Sequence, residues 1–235
     1  MATVPEEPVR APGTRAVRPR DAATLIVYRI RRGIVEVLLG RRHRAHSFLP
    51  ERYAFPGGRV DRFDSRVRAA RPMRPDVEAL LVRKTTPARA RGLIAAAVRE
   101  TFEETGLAIG APDPAPGRPV PAGWRPFFET GLAPAFDRLN YVARAVTPHW
   151  RPLRFDARFF MVNAAETTGT LGGSGELLDL GYVPVAETRH LELPLITTRV
   201  LELVEDLARD PSAPGTRKAV PRYVHNGVSH DIRME

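Results

Sequence analysis

Gly92–Leu107, GLIAAAVRETFEETGL, decides how the rest of the chain reads. Ile94, Val98, Thr101, Phe102 and Thr105 recur at helical spacing and share one face. Glu100, Glu103 and Glu104 fall in an arc on the other side, because residues three and four apart are neighbours on a helix. Gly106 is a natural stop, since glycine tolerates the left-handed end conformation. As pure structure the acidic arc is poor. Like charges at these spacings each cost roughly 0.2–0.5 kcal/mol, and the last turns of a helix favour cations. A hard divalent cation reverses the sign, because Mg²⁺ and Mn²⁺ take carboxylate oxygens. The competing reading is a solvated charged face on which Arg99 pairs with Glu103.

Upstream, Phe55–Asp61 reads FPGGRVD. Pro56-Gly57-Gly58 signals a turn, and glycine lets backbone approach a ligand closely. Arg99–Leu107, RETFEETGL, resembles the second half of the Nudix box, R-E-U-x-E-E-x-G-U with U aliphatic. Every charged and glycine position matches, and Thr101 departs at the first aliphatic one. FPGGRVD resembles the loop that opens the box. The contiguous box has a glutamate eight residues before its arginine; here Arg91 stands there. The box is therefore split by about thirty residues, a length typical of functional or disordered loops. In this form it resembles the Nudix branch related to peroxisomal coenzyme A diphosphatases. Leu38–Gly58 also partly matches a motif of coenzyme A-cleaving Nudix enzymes. Leu38, Leu39, Arg42 and Phe55–Gly58 agree, whereas Gly40, His43, Ser47 and Glu51 depart.

The resemblance implies an α/β fold, the Nudix-type α/β/α sandwich with a mixed β-sheet. It implies a metal-dependent hydrolase of a nucleoside diphosphate linked to another moiety, with coenzyme A or an acyl derivative first among substrates. Hydrolysis of ADP-ribose or NADH-like dinucleotides, and non-catalytic nucleotide sensing, stand as alternatives. Glu100, Glu103, Glu104 and the backbone carbonyl of Gly58 are the implied ligands of Mg²⁺ or Mn²⁺, and Arg99 orients the carboxylates. A further carboxylate, Glu166 or Glu176, is implied as metal ligand or general base. Gly57, Gly58, Arg42 and Arg158 are the implied substrate contacts, because a guanidinium grips phosphate with paired hydrogen bonds. Arg41 and Arg44 read equally as phosphate contacts or as a solvated strand end. Asp61 and Asp64 read as loop anchors or a second shell, with a plain turn role for Asp64.

The pattern outside the motifs agrees with a mixed sheet between helices. Asp21–Arg29, Ile34–Leu39, Asn140–Val146, Arg154–Asn163 and Leu177–Val183 read as strands. Asp76–Lys84 reads as a short helix, and Val185–Ala208 carries helical spacing broken by Pro194. Trp124, Phe127, Phe128 and Phe136 suit core packing better than base stacking. The expected organisation is a lead-in over 1–20, one domain over 21–208 and a polar tail over 209–235. The insertion 62–91 is expected to leave the core as a loop, serving as lid, substrate rim or neither.

Composition narrows the classes. The 235 residues contain no cysteine, which removes disulfides, thiol nucleophiles and cysteine metal sites and fits a reducing, cytoplasmic setting. No apolar run approaches the roughly 20 residues of a membrane span. Net charge is +9, which suits capture of a small polyphosphate; the arginines are too scattered for a dedicated nucleic-acid stripe. A homodimer is compatible with this reading.

Overall fold

The computed structural model describes residues 17–45, 49–210, 217–225 and 230–235. Its strands are β1 (Arg20–Arg31), β2 (Ile34–Arg42), β3 (Tyr53–Ala54), β4 (Gly57–Arg59), β5 (Gly110–Pro112), β6 (Leu132–Pro134), β7 (Asn140–Val146), β8 (Phe155–Asn163), β9 (Leu177–Pro184), β10 (Pro221–His225) and β11 (His230–Met234). Its helices are α1 (Pro75–Val82), α2 (Pro87–Thr105), α3 (Arg125–Glu129) and α4 (Leu195–Arg209).

The described residues form a nine-stranded mixed sheet in the order β11-β10-β7-β8-β1-β2-β3, with β4 paired to β1 and β9 to β2. β1 is the hinge of the architecture. Over its first residues it pairs with β4, Ala22 to Arg59 and Thr24 to Gly57. Over its last it pairs with β2. Along its other side it runs parallel to β8. Strand side chains alternate between faces, and two cores result. Ala23, Leu25, Val27, Leu38, Phe160 and Val162 meet α1 and α2. Ile26, Val37, Leu39, Phe159 and Met161 meet α4 through Val200, Leu201 and Val204. The fold is thus the α/β/α sandwich expected from the sequence. No described helix is long and apolar enough to cross a membrane.

α2 starts five residues earlier than its apolar periodicity suggests. Thr86 Oγ1 caps it by accepting from Arg89 N at 3.3 Å, and Pro87 occupies the first turn, where its missing N–H has no partner to lose. Leu93 to Val98 have no exposure at all: three consecutive alanines let the helix be covered on all sides. Thr101 and Thr105 are fully buried too. Their hydroxyls donate to Ala97 O (2.7 Å) and Thr101 O (2.6 Å), so a threonine replaces an aliphatic residue without an unmet polar group.

Two expectations about organisation need correction. The insertion is not an excursion. Val67, Val77 and Leu81 are at most 2% exposed and belong to the same core as α2, because α1 lays its apolar face against that helix. Nor is the end of the chain only a polar tail: β10 and β11 extend the main sheet beyond β7. The proposed lead-in falls mostly outside the described residues.

Candidate active site

The C-terminal half of α2 faces the β4 turn, and the contact is close. Gly57 N donates to Glu104 Oε2 at 2.7 Å across 47 positions of chain. Gly58 lies so near the Glu100 carboxyl that a Cβ there would sit 2.5 Å from its Cδ. Only a residue without a side chain lets β4 and the helix approach in this way. The two halves of the split motif therefore meet in space.

Arg99 organises the acidic arc from behind. Its Nε and Nη2 each donate to the Asp64 carboxylate at 3.0 Å, Nη2 also to Arg59 O at 3.0 Å, and Nη1 to Glu103 Oε2 at 3.1 Å. Nη1 lies 2.9 Å from Glu100 Oε1. Asp64 has no solvent exposure. It accepts additionally from Trp124 Nε1 at 3.0 Å and Asp61 N at 2.7 Å. So Asp64, read from sequence as a plain turn residue, is the buried anchor of Arg99. The available signal is weak: one of three acidic residues, with Asp76 and Glu78, inside a predominantly basic insertion. Arg91, at the position the contiguous box gives to glutamate, bonds Val67 O instead.

The carboxylates are short of positive charge. Burial pushes Glu104 up to about 8, with the Glu100 and Glu176 charges adding and the Gly57 N–H and Arg42 opposing. Burial likewise pushes Glu100 up to about 7, against the pull of Arg99, and raises Glu103. Burial works against the Arg99 charge, but its bonds to Asp64 and the neighbouring glutamates outweigh it and hold the guanidinium above its ordinary range. Among the described residues no three carboxylate or imidazole groups are already gathered around one point. Glu100 and Glu103 turn toward Arg99, and Glu104 toward Gly57.

A cleft of about 1320 Å³ opens beside these groups. Arg42, Gly57, Gly58, Arg99, Glu100, Glu103, Glu104 and Glu176 all line it. Burial lowers the Arg42 pKa and the Glu104 charge opposes that shift. Arg41 is turned to the surface, paired with Glu51 at 2.7 Å and Asp179 at 2.9 Å. Trp150, Leu153, Phe155, Leu195 and Ile196 add apolar side chains to the lining of the cleft. Glu176 arrives on the loop before β9, and its carbonyl accepts from His43 N at 3.0 Å.

Two expected residues lie elsewhere. Ala157 and Phe159 line the cleft, so Arg158 between them points to the other face of the sheet. There it is 1% exposed and bonded to Asp156. Glu166 sits in a separate hollow with Arg71, Arg74 and Arg138, and pairs with Arg138 at 3.2 Å. The aromatic run packs as core: Trp124 and Phe127 are 1% exposed with ring centroids 5.5 Å apart.

Comparison with known proteins agrees with this geometry. A crystal structure of a Nudix hydrolase from Alicyclobacillus acidocaldarius is similar at TM-score 0.65 and 26% identity, over 85% of this chain and 97% of that one. Weaker likenesses include the mutator MutT protein from Bacillus halodurans (TM-score 0.49, 11% identity, 91% of this chain and 97% of that one). Another is the Nudix domain of Shewanella oneidensis NrtR complexed with ADP ribose (TM-score 0.47, 11% identity, 81% and 88%). No protein-family model matches the chain, and no curated protein matches it. The chain thus has the fold of the Nudix hydrolases, and within that fold it joins the halves of the split box beside the buried Arg99.

Proposed function

We propose that the chain is a divalent-metal-dependent pyrophosphohydrolase that cleaves the diphosphate of a nucleoside diphosphate linked to another moiety. The observation that carries the reading is the contact of the Gly57-Gly58 turn with Glu104 and Glu100. It assembles glycine backbone and carboxylates in one cleft across 47 positions of chain. The donor set fits Mg²⁺ or Mn²⁺: every side-chain donor is a carboxylate oxygen, the preference of hard cations. Buried carboxylates displaced to about 7 and 8 need a nearby cation to stay ionised at neutral pH. Glu100, Glu103, Glu104 and the Gly58 carbonyl are the groups that would hold it. When bound, the cation lowers the pKa of water and neutralises diphosphate charge.

The protein's own groups do the rest. Arg99, fixed by Asp64, holds Glu100 and Glu103 by ion pairs at the wall of the cleft. Glu176, which lines the cleft, is the carboxylate we assign to take the proton from the attacking water, a role that requires hydrogen-bond reach. Glu166 holds no such position. Arg42 presents the cleft's guanidinium to the phosphates. The apolar side chains in the cleft lining support coenzyme A or an acyl derivative as substrate, since an aliphatic arm beside Trp150, Leu153 and Leu195 would bury apolar surface. The proposed partners are this small molecule and a second copy of the chain, in the cytoplasm. The deciding experiment is a panel of coenzyme A, acyl-coenzyme A, ADP-ribose and NADH with Mg²⁺ or Mn²⁺, scored by released products. Turnover of coenzyme A forms above the others is expected. Binding without turnover of any member refutes the enzymatic reading, and preference for ADP-ribose refutes the coenzyme A assignment.

A further inference from the structure

β11 ends the sheet, and among the described residues no strand covers its outer side. Such an edge presents unpaired N–H and C=O groups and is a template for another strand. Val220 and Glu235 bond reciprocally, Val220 N to Glu235 O at 3.0 Å and Glu235 N to Val220 O at 2.9 Å. In an antiparallel pair such closely bonded positions recur every second residue. With Arg222 opposite Arg233 and Val224 opposite Asp231, residues 233 and 231 also face β10. His230, Ile232 and Met234 then turn their backbone groups outward. The side chains of Ile232 and Met234 are 59% and 62% exposed.

The other face of this edge carries an unbalanced charge. Arg158 lies opposite Arg144, Arg144 opposite Arg222, and Arg222 opposite Arg233, a row of four arginines across β8, β7, β10 and β11. Like charges directly opposite one another are destabilising. Asp156 pairs with Arg144 and Arg158, and Glu235 with Arg144 and Arg222. Arg233, at the end of the row, forms no ion pair among the described residues.

We propose that β11 pairs antiparallel with β11 of a second copy of this chain, in the register that sets Ile232 opposite Ile232 of the partner. The outward backbone groups of His230, Ile232 and Met234 all find partners in that register. Asp231 then stands opposite the partner's Arg233 and Arg233 opposite the partner's Asp231, so the arginine row ends on a carboxylate at each side of the dyad. Shifting the dyad by one residue either way opposes Arg233 to Arg233 or Asp231 to Asp231. Charge therefore selects the register, and the two exposed apolar side chains are covered with it. Five-residue strands bury less than a standard interface, so the dimer dissociates on dilution.

Sedimentation velocity of the full chain over a concentration series tests this, with circular dichroism confirming that each variant is folded. The unmodified chain should show a concentration-dependent monomer–dimer equilibrium. Arg233→Asp alone and Asp231→Arg alone each turn two attractive pairs into repulsive ones. Each should weaken self-association about tenfold or more. Mixed in equal amounts, the two variants are complementary at both pairs and should form a heterodimer as tight as the parent dimer. Ile232→Pro, which removes an outward donor and no bond to β10, should leave a folded monomer. A chain monomeric at every concentration overturns the proposal. So does a dimer that survives either charge reversal, or a failure of the mixed variants to associate.

Discussion

Replacing Asp64 tests the least expected part of the site. Its carboxylate is fully buried and accepts four hydrogen bonds, two of them from Arg99. Asp64→Ala leaves the Arg99 guanidinium, itself 9% exposed, without its two-toothed partner. Breaking one side of a buried ion pair costs about 3–5 kcal/mol. At a urea dependence of about 2 kcal/mol/M, the unfolding midpoint should fall by about 2 M. Asp64→Asn keeps the shape and one acceptor oxygen and should cost less, about 1–3 kcal/mol. Both variants also release the guanidinium that pairs with Glu100 and Glu103. Misplacement of about 1 Å at a reacting centre can cost about 100-fold, so a fall in kcat of that order is expected for Asp64→Asn even where the protein is fully folded. A double-mutant cycle with Arg99→Ala completes the test. If the two residues act as one unit, the double variant is little worse than the worse single, with a coupling of about 3 kcal/mol. Additive losses, or unchanged kcat in Asp64→Asn, would refute the anchoring role.

Gly58→Ala should abolish most turnover, because its Cβ and the Glu100 carboxyl cannot both keep their places; wild-type kcat in this variant would show that the close approach is dispensable. Deleting Phe63–Ala90 should abolish folding by circular dichroism, since it removes Asp64 and the Val67, Val77 and Leu81 part of the core; a folded deletion would mean that this packing is peripheral. In metal-free buffer, Glu100 and Glu104 carry folded-state pKa values of about 7 and 8, above the ordinary 4.5. The folded state then binds more protons than the unfolded one between about pH 4.5 and 8, so stability falls as pH rises through that window. The melting temperature should be lower at pH 8.5 than at pH 5.5, and Mn²⁺ should restore it at the higher pH; Glu104→Gln should flatten the dependence, and a flat profile in the parent protein would contradict the buried charges. Glu176→Gln should lower kcat far more than Glu166→Gln, and equal effects would remove the distinction between them.

Five of the longer strands and the central helix are legible because their periodicities are local properties. Asn140–Val146 and Leu177–Val183 fall on β7 and β9, and Arg154–Asn163 on β8, to within a residue. The start of α2 is also marked locally, by Thr86 as cap and Pro87 in the first turn, a signal separate from the apolar periodicity. What the sequence could not show is which face a residue takes at the sheet. Arg158 carries a motif resemblance, yet strand alternation puts it opposite the cleft-lining Ala157 and Phe159. The insertion misled for a related reason. Its prolines and arginines look like a loop, but Val67, Val77 and Leu81 are spaced to cover α2, and contacts between distant segments leave no local period. The C-terminal strands were hidden in the same way, since their pairing with β7 is long-range.

The position of Glu176, proposed over Glu166 as the general base, follows from how α2 ends. A helix terminus leaves carbonyls without intrahelical partners, and here the acidic side chains in the last turns add to the negative end of the dipole. The Gly-rich loop after Thr168 answers this: Gly172 N donates to Thr105 O and Ser174 N to Glu103 O, both at 2.9 Å. Gly173 fits against the Glu104 carbonyl where no Cβ could be placed. The loop is thus bound to the last turn of the helix by its own backbone, and Glu176 follows Ser174 by two residues. The helix cap and the proposed catalytic carboxylate are tied to one segment. Any substitution that unseats the loop should move Glu176 and loosen Glu103 and Glu104 together. Gly173→Ala, which touches no side chain of the site, is therefore expected to reduce kcat and to lower the unfolding midpoint in the same variant. Measuring both on one sample decides the point: loss of stability with unchanged kcat would separate the cap from the chemistry, and the placement of Glu176 would then need another cause.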